Sequence, residues 1–156
     1  MKSVFYYEYP VGKMGIIEED EALAGIFFPS KSRDFAKTIP RAETPFIKKT
    51  AVQLKEYFAG RRKTFDVPLV LHGTKFQVSV WKALQAIPYG ETRTYREIAV
   101  LTGNPKACRA VGMANNRNPI ALIVPCHRVI GSNGSLTGYA DGLDTKEYLL
   151  KLEGAL

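Results

Sequence analysis

A chain of 156 residues with 46% apolar and 24% charged residues has room for one or two small domains, and this composition excludes a disordered or low-complexity polymer. No apolar stretch approaches the roughly 20 residues of a membrane span. Met1 to Pro10 lacks a signal-peptide core, so an intracellular protein with no membrane attachment is expected. The net charge of +7 favours an anionic partner such as nucleic acid, but the cations are spread over both halves, so any binding face must come from placement.

In chain order, the first third reads as strands. Val4 to Tyr9 is aromatic and β-rich, and Gly15–Glu18 and Ala22–Phe28 flank the acidic turn Glu19-Asp20-Glu21 as a hairpin. A proline-containing loop leads to Thr44-Pro45, a cap followed by proline at the first helical position. Ile47, Ala51, Leu54 and Phe58 then recur at helical spacing until Gly60. The run Arg61-Arg62-Lys63 and the segment to Gly73 read as a connection, giving an N-terminal β-sheet and helix domain over 1–72 and a mainly helical domain over 73–156.

The second part opens with the capping box Thr74-x-x-Gln77 and the stripe Phe76, Val80, Leu84, Ile87. Pro88-Tyr89-Gly90 breaks that helix. A second box, Thr94-x-x-Glu97, opens a short helix that stops at Gly103, and Asn104-Pro105 is read as the cap of a third, from Lys106 to about Asn116. Two short helices joined by a tight glycine turn are what a helix-turn-helix needs, within a mixed α/β (α+β) chain. Ala107, Ala110, Val111 and Ala114 are expected to face the core, leaving Lys106, Arg109, Met113 and Asn116 on a thin polar face that suits a DNA groove or simply solvent.

The continuous apolar run Ile120–Val124 reads as a buried strand or extended segment delivering Pro125-Cys126-His127-Arg128. With no secretion signal, Cys108 and Cys126 are expected to stay reduced, one packing and one with a task. Two thiols and two histidines give no zinc pattern, and no cofactor or metal is expected. A thiol beside an imidazole suits an activated nucleophile, because the thiolate is the reactive form. The same dipeptide also suits a packing thiol beside a histidine that bonds the backbone.

Pro125-Cys126-His127-Arg128-Val129 resembles the active-site signature of the O6-alkylguanine-DNA alkyltransferases. Arg109-Ala110-Val111-Gly112 and Asn118-Pro119 lie upstream at that family's spacing. Gly138-Tyr139, Gly142-Leu143, Lys146-Glu147, Leu149-Leu150 and Glu153-Gly154 follow downstream. The resemblance covers about Gly73 to Gly154. It implies a single-use alkyl transfer from O6-alkylguanine in double-stranded DNA to Cys126, acting as a monomer, with O4-alkylthymine left open as a second substrate. His127 would act as base through a water, and Glu153 would orient and charge-balance it, favouring the imidazolium and hence the thiolate. Tyr95 would donate a hydrogen bond to the guanine ring, and Asn118 would hold the turn before the active-site segment. Arg109 would enter the stack left by a flipped base, with Lys106, Thr94, Arg128, Met113 and Asn116 as further DNA contacts. Tyr139, Ala140 and Val129 would line the base pocket. Two departures stand out: Ala140 where relatives often carry Ser, and Asp141, a carboxylate at the pocket rim, where Gly is usual.

Three other readings compete. A non-enzymatic lesion-binding module of the same fold would lack the reactive cysteine. A helix-turn-helix regulator leaves Cys126, His127 and Glu153 idle. A cysteine hydrolase needs an oxyanion-hole loop that the sequence does not show.

Overall fold

The acidic hairpin turn sets the first sheet. Asp20 and Glu21 both lie in the left-handed region, at φ 50° and 64°, the backbone that a two-residue hairpin loop requires. Local contacts support these residues there: the Glu18 carboxylate accepts the Glu21 N–H at 3.0 Å, and the N-terminal ammonium reaches Asp20 at 2.8 Å. The strands β1 (Lys2–Tyr9), β2 (Gly12–Glu19) and β3 (Ala22–Phe27) pair antiparallel in that order. Helix α1 (Pro45–Phe58) begins where the Thr44 side chain accepts the Ile47 N–H. It packs Ile47, Ala51, Leu54 and Phe58 toward β1 and β2. The segment after α1 is more than a connection: Gln53 bonds both backbone groups of Asp66, and Pro68–Val70 runs beside β3 through Leu23. This computed structural model describes residues 1–29, 34–139 and 142–156, in two units, Met1–Leu71 and His72–Leu156.

The second unit is built on helices. Both threonine capping boxes form, Thr74 with Gln77 ahead of α2 (Lys75–Gln85) and Thr94 with Glu97 ahead of α3 (Tyr95–Leu101). Gly103, at φ 87°, turns the chain into α4 (Cys108–Asn116). α4 starts two residues later than the sequence pattern suggests. Asn104 Oδ1 accepts the Lys106 N–H and so caps a turn, and Ala107 precedes the helix with no side-chain cap. The buried face also differs: it is Val111, Ala114 and Asn115, while Ala110 is exposed and Ala107 half-buried. A single methyl supplies little hydrophobic drive, so a run of alanines does not fix how a helix is rotated.

Trp81 centres the core of this unit, fully packed, with its Nε1 donating to the Ala114 carbonyl at 2.9 Å. Ile120–Val124 is buried, apart from the half-buried Ile123, but is not a strand. It is a tight turn with Leu122 at φ 72° and the Val124 N–H bonded to the Ile120 carbonyl. An apolar run specifies burial; here side-chain hydrogen bonds, not a ladder, satisfy the backbone. A parallel pair follows, β4 (Arg93–Thr94) with β5 (Val129–Ile130). Helix α5 (Leu143–Leu152) closes the unit, with Glu153 at its C-cap and Gly154 in the left-handed conformation at φ 76°. The fold is thus mixed α and β, and no helix among the described residues is long and apolar enough to cross a membrane.

Candidate active site

Asn118 holds the buried turn at both ends. Its Nδ2 donates to the Val124 carbonyl at 2.7 Å, and its Oδ1 accepts the Ile120 N–H at 3.0 Å. The turn delivers Cys126, His127 and Arg128 on a single 3-10 turn. The Cys126 N–H bonds the Val124 carbonyl, and the Cys126 carbonyl accepts from Asn115 Nδ2 at 3.3 Å. The Cys126 backbone is therefore fixed by α4, the helix that presents Arg109 outward. Cys126 is the buried thiol and Cys108, at the start of α4, the half-buried one, with no disulfide between them.

His127 is fully buried. Its Nε2 lies 2.7 Å from Glu153 Oε2. A carboxylate accepts only, so Nε2 carries the hydrogen, and in the neutral ring Nδ1 keeps its lone pair. Nδ1 is buried with no hydrogen-bond partner among the described residues. A buried acceptor left unsatisfied costs about 1–3 kcal/mol, and it stands on the residue next to Cys126.

Glu153 also meets Arg128: Nε to Oε1 at 2.7 Å and Nη2 to Oε2 at 3.1 Å. Arg128 Nη1 donates to the Ile87 carbonyl at 2.7 Å, and its guanidinium lies 5.8 Å from the Tyr89 ring centroid. Arg128 is thus a buried partner of Glu153, which removes it from the set of expected DNA contacts. The sequence pattern misplaces it because a cation next to a DNA-binding motif reads as surface until its carboxylate partner, 25 residues on, is located.

The electrostatics follow from this packing. Burial works to raise the Glu153 carboxyl, but its bonds to His127 and Arg128 prevail and hold it at about 2. Burial pushes the His127 imidazole below its ordinary 6.5, against the pull of Glu153 and with help from the Arg128 and Lys146 charges. Burial and the neighbouring cations thus disfavour the imidazolium that a lone His–Glu pair would favour.

Lys146 was given no role by the sequence pattern. It is fully buried on α5 and its ammonium donates to the carbonyls of Val129 and Thr137, the latter at 2.7 Å. Burial lowers it to about 8, opposed by the charge of Cys126. The signal was present: Lys146, Leu149, Leu150 and Glu153 fall at i, i+3, i+4 and i+7, a helical core stripe with a cation at one end and an anion at the other.

Tyr95, Arg109 and Asn116 meet at an open pocket of about 300 Å³, completed by Cys108, Gly112, Thr137 and Gly138. The Tyr95 hydroxyl donates to the Thr137 carbonyl at 2.9 Å. Burial raises its pKa, as does the nearby Cys126 charge. Gly138 needs to be glycine on two counts: φ is 69°, and a Cβ would fall 2.5 Å from the Tyr95 hydroxyl oxygen. Lys106, Arg109, Met113 and Asn116 are all exposed along one side of α4 and its entry, and Thr94 caps α3. Val129 and Tyr139 are buried, whereas Ala140 and Asp141 lie outside the described residues. Among the described residues no cluster of His, Cys, Asp and Glu could hold a metal ion.

Comparison with known proteins agrees over both units. Residues 75–155 match the model of the 6-O-methylguanine DNA methyltransferase, DNA binding domain, and residues 4–71 that of its ribonuclease-like domain. The chain is 55% identical to a methylated-DNA–protein-cysteine methyltransferase of Methanosarcina acetivorans, over 96% of each chain. It is 48% identical to the constitutive Bacillus subtilis protein of that name, over 94% of this chain and 92% of the relative. Among solved structures, Mycobacterium tuberculosis OGT in complex with DNA superposes at a TM-score of 0.91 and 44% identity, covering 98% of this chain and 93% of the other.

Proposed function

The chain belongs to the 6-O-methylguanine DNA methyltransferase family, and on that premise we propose that it repairs DNA by moving the alkyl group of O6-alkylguanine onto Cys126, each molecule acting once. The observation that carries this reading is the buried, unpartnered Nδ1 of His127 beside Cys126, with Nε2 committed to Glu153. The Cys126 proton passes to Nδ1 through a bridging water. The thiolate attacks the alkyl carbon, the carbon–O6 bond breaks, and its electron pair stays on the guanine, which then takes up a proton. A thioether remains on Cys126. Nothing among the described residues of the site offers a route to remove it.

The O6 atom sits inside the duplex, so a thiol on a buried turn reaches it only if the nucleotide rotates out of the stack. The pocket under Tyr95 and Gly138 supports that path, with Arg109 at its rim to occupy the gap left behind. Lys106, Met113 and Asn116 add to the DNA face. Tyr95 turns its one hydroxyl hydrogen from the Thr137 carbonyl toward the guanine ring as charge develops, and the buried Tyr139 and Val129 shape the pocket. The presence of Cys126 argues against a lesion-binding module, and Glu153 at 2.7 Å from His127 argues against a helix-turn-helix regulator in which both stand idle. Incubation with O6-methylguanine duplex followed by peptide mass spectrometry tests the reading. One methyl on the Cys126 peptide, with none on Cys108 and no turnover beyond one equivalent, is the expected result; an unmodified Cys126 in folded protein overturns it.

A further inference from the structure

The Arg128–Glu153 pair does more than tie α5 to the active-site turn. We propose that Arg128 sets the protonation state of His127: its guanidinium fork neutralises the Glu153 carboxylate that would otherwise hold His127 as an imidazolium, and so keeps the imidazole a free base beside Cys126.

Charges enclosed together in a buried space must balance. Arg128, Glu153 and a neutral His127 sum to zero. Without Arg128, neutrality in the same space is reached when Glu153 holds a protonated His127, and an imidazolium cannot accept the Cys126 proton. Low dielectric makes the difference between these states large. The geometry suits this role. Nε and Nη2 of Arg128 engage both carboxylate oxygens at 2.7 and 3.1 Å, while Nη1 is fixed by the Ile87 carbonyl. The guanidinium plane is thereby locked, and Glu153 Oε2 is left aimed at His127 Nε2. A lysine could not copy this, since a point charge on a flexible stem cannot hold two carboxylate oxygens and a carbonyl in one plane.

The other groups facing His127 act in the same frame. Lys146, from α5, is a second buried cation and disfavours the imidazolium. Glu153 alone favours it, and burial opposes it most of all. On its own turn, Cys126 is the proton donor. Arg128 thus acts through Glu153 and His127 and is a positioning residue.

This inference rests on the reading of His127 as a base, and its test is chosen so that the two can fail separately. The chain has only two histidines, His72 and His127, so nitrogen-15 histidine NMR resolves each, with His72→Gln for assignment. Titrations are run without DNA on the wild type and on Arg128→Gln. His127 of the wild type is expected to be the neutral Nε2–H tautomer at pH 7. In Arg128→Gln its titration is expected at least one pH unit higher, and alkyl transfer at pH 6.5 about tenfold slower, with most of the loss recovered at pH 8.5. An imidazolium at pH 7 in the wild type, or the same titration in both folded proteins, overturns the proposal. Should Arg128→Gln not fold, the wild-type tautomer still decides, as does Arg128→Gln with Glu153→Gln. That pair removes both buried charges, and its His127 is expected to stay neutral; an imidazolium there overturns the proposal. A shift of the titration in a protein that transfers no alkyl group would sink the proposed function and leave this inference standing.

Discussion

Tyr95 and Lys146, from α3 and α5, donate to one and the same acceptor, the carbonyl oxygen of Thr137, at 2.9 and 2.7 Å. That oxygen lies one residue before Gly138, whose backbone runs too close to Tyr95 for any side chain. The pocket wall is therefore held by two donors on one oxygen, and one of them also pins the Val129 carbonyl just after the nucleophile's turn.

Lys146→Met should slow alkyl transfer at least tenfold while leaving duplex affinity near normal, because it frees Thr137 and Val129 but touches no exposed residue of α4. Single-turnover rates beside a binding titration check this. There is also a stability signature. The folded pKa of about 8 lies below the ordinary 10.5, so between these values the unfolded chain binds the proton that the folded chain has shed. Lys146 therefore makes stability rise with pH across that window. Urea unfolding at pH 8 and pH 10 should show a smaller rise in the methionine variant than in the wild type. Equal rises would mean that the ammonium is not buried as described.

Cys126→Ser should abolish transfer with DNA binding retained, since a hydroxyl is a far weaker nucleophile at neutral pH. Cys108→Ser should transfer at close to the wild-type rate. It lines the pocket under Tyr95 but lies on the outer helix, away from the His127–Glu153 pair. Mass spectrometry on both variants separates them, and a dead Cys108→Ser with a live Cys126→Ser would reverse the assignment of the nucleophile.

Arg109→Ala should weaken repair of duplex DNA about tenfold or more and leave the reaction with free O6-benzylguanine within about twofold. A gap in a base stack costs a few kcal/mol to leave empty, and that cost exists only where there is a stack. Rates on the two substrates, measured side by side, decide. Equal losses would assign Arg109 to the pocket or to the fold.

Glu153→Gln should slow transfer and lower stability by about 3–5 kcal/mol at pH 7, because it leaves Arg128 a buried charge without its partner. The pH dependence has a definite sign. Glu153 sits at about 2 when folded against an ordinary 4.5, so its contribution is complete above pH 4.5 and is lost as pH falls toward 2. The gap between wild type and variant should narrow over that window. His127, whose pKa burial lowers in the fold, takes up its proton more readily in the unfolded chain and so lowers the stability of both proteins as pH falls below about 6.5. Urea unfolding at pH 7, 5 and 3.5 reads the two effects. A gap that stays constant with pH would show that the carboxylate is not held by charge.

Sequence alone determined what local rules can determine. The hairpin at Asp20-Glu21, the Thr44-Pro45 helix start and both threonine capping boxes are each settled within about four residues, and each stands in the structure. Cys126 and His127 stood out through the resemblance of Pro125-Cys126-His127-Arg128-Val129 to a family signature, not through adjacency, which suits a packing thiol as well. Tertiary structure decided the rest. Whether Arg128 faces DNA or Glu153 depends on bringing together residues 25 apart, and the His127–Glu153 contact on residues 26 apart. Lys146 is an ordinary lysine until the fold removes it from water and offers it two carbonyls. The apolar run Ile120–Val124 became a turn because Asn118 satisfies its backbone from outside the run. For Arg128 and Lys146 the partner lies well along the chain, for Asn118 only a few residues away; in all three burial raises the energy at stake without leaving any periodic trace in the sequence.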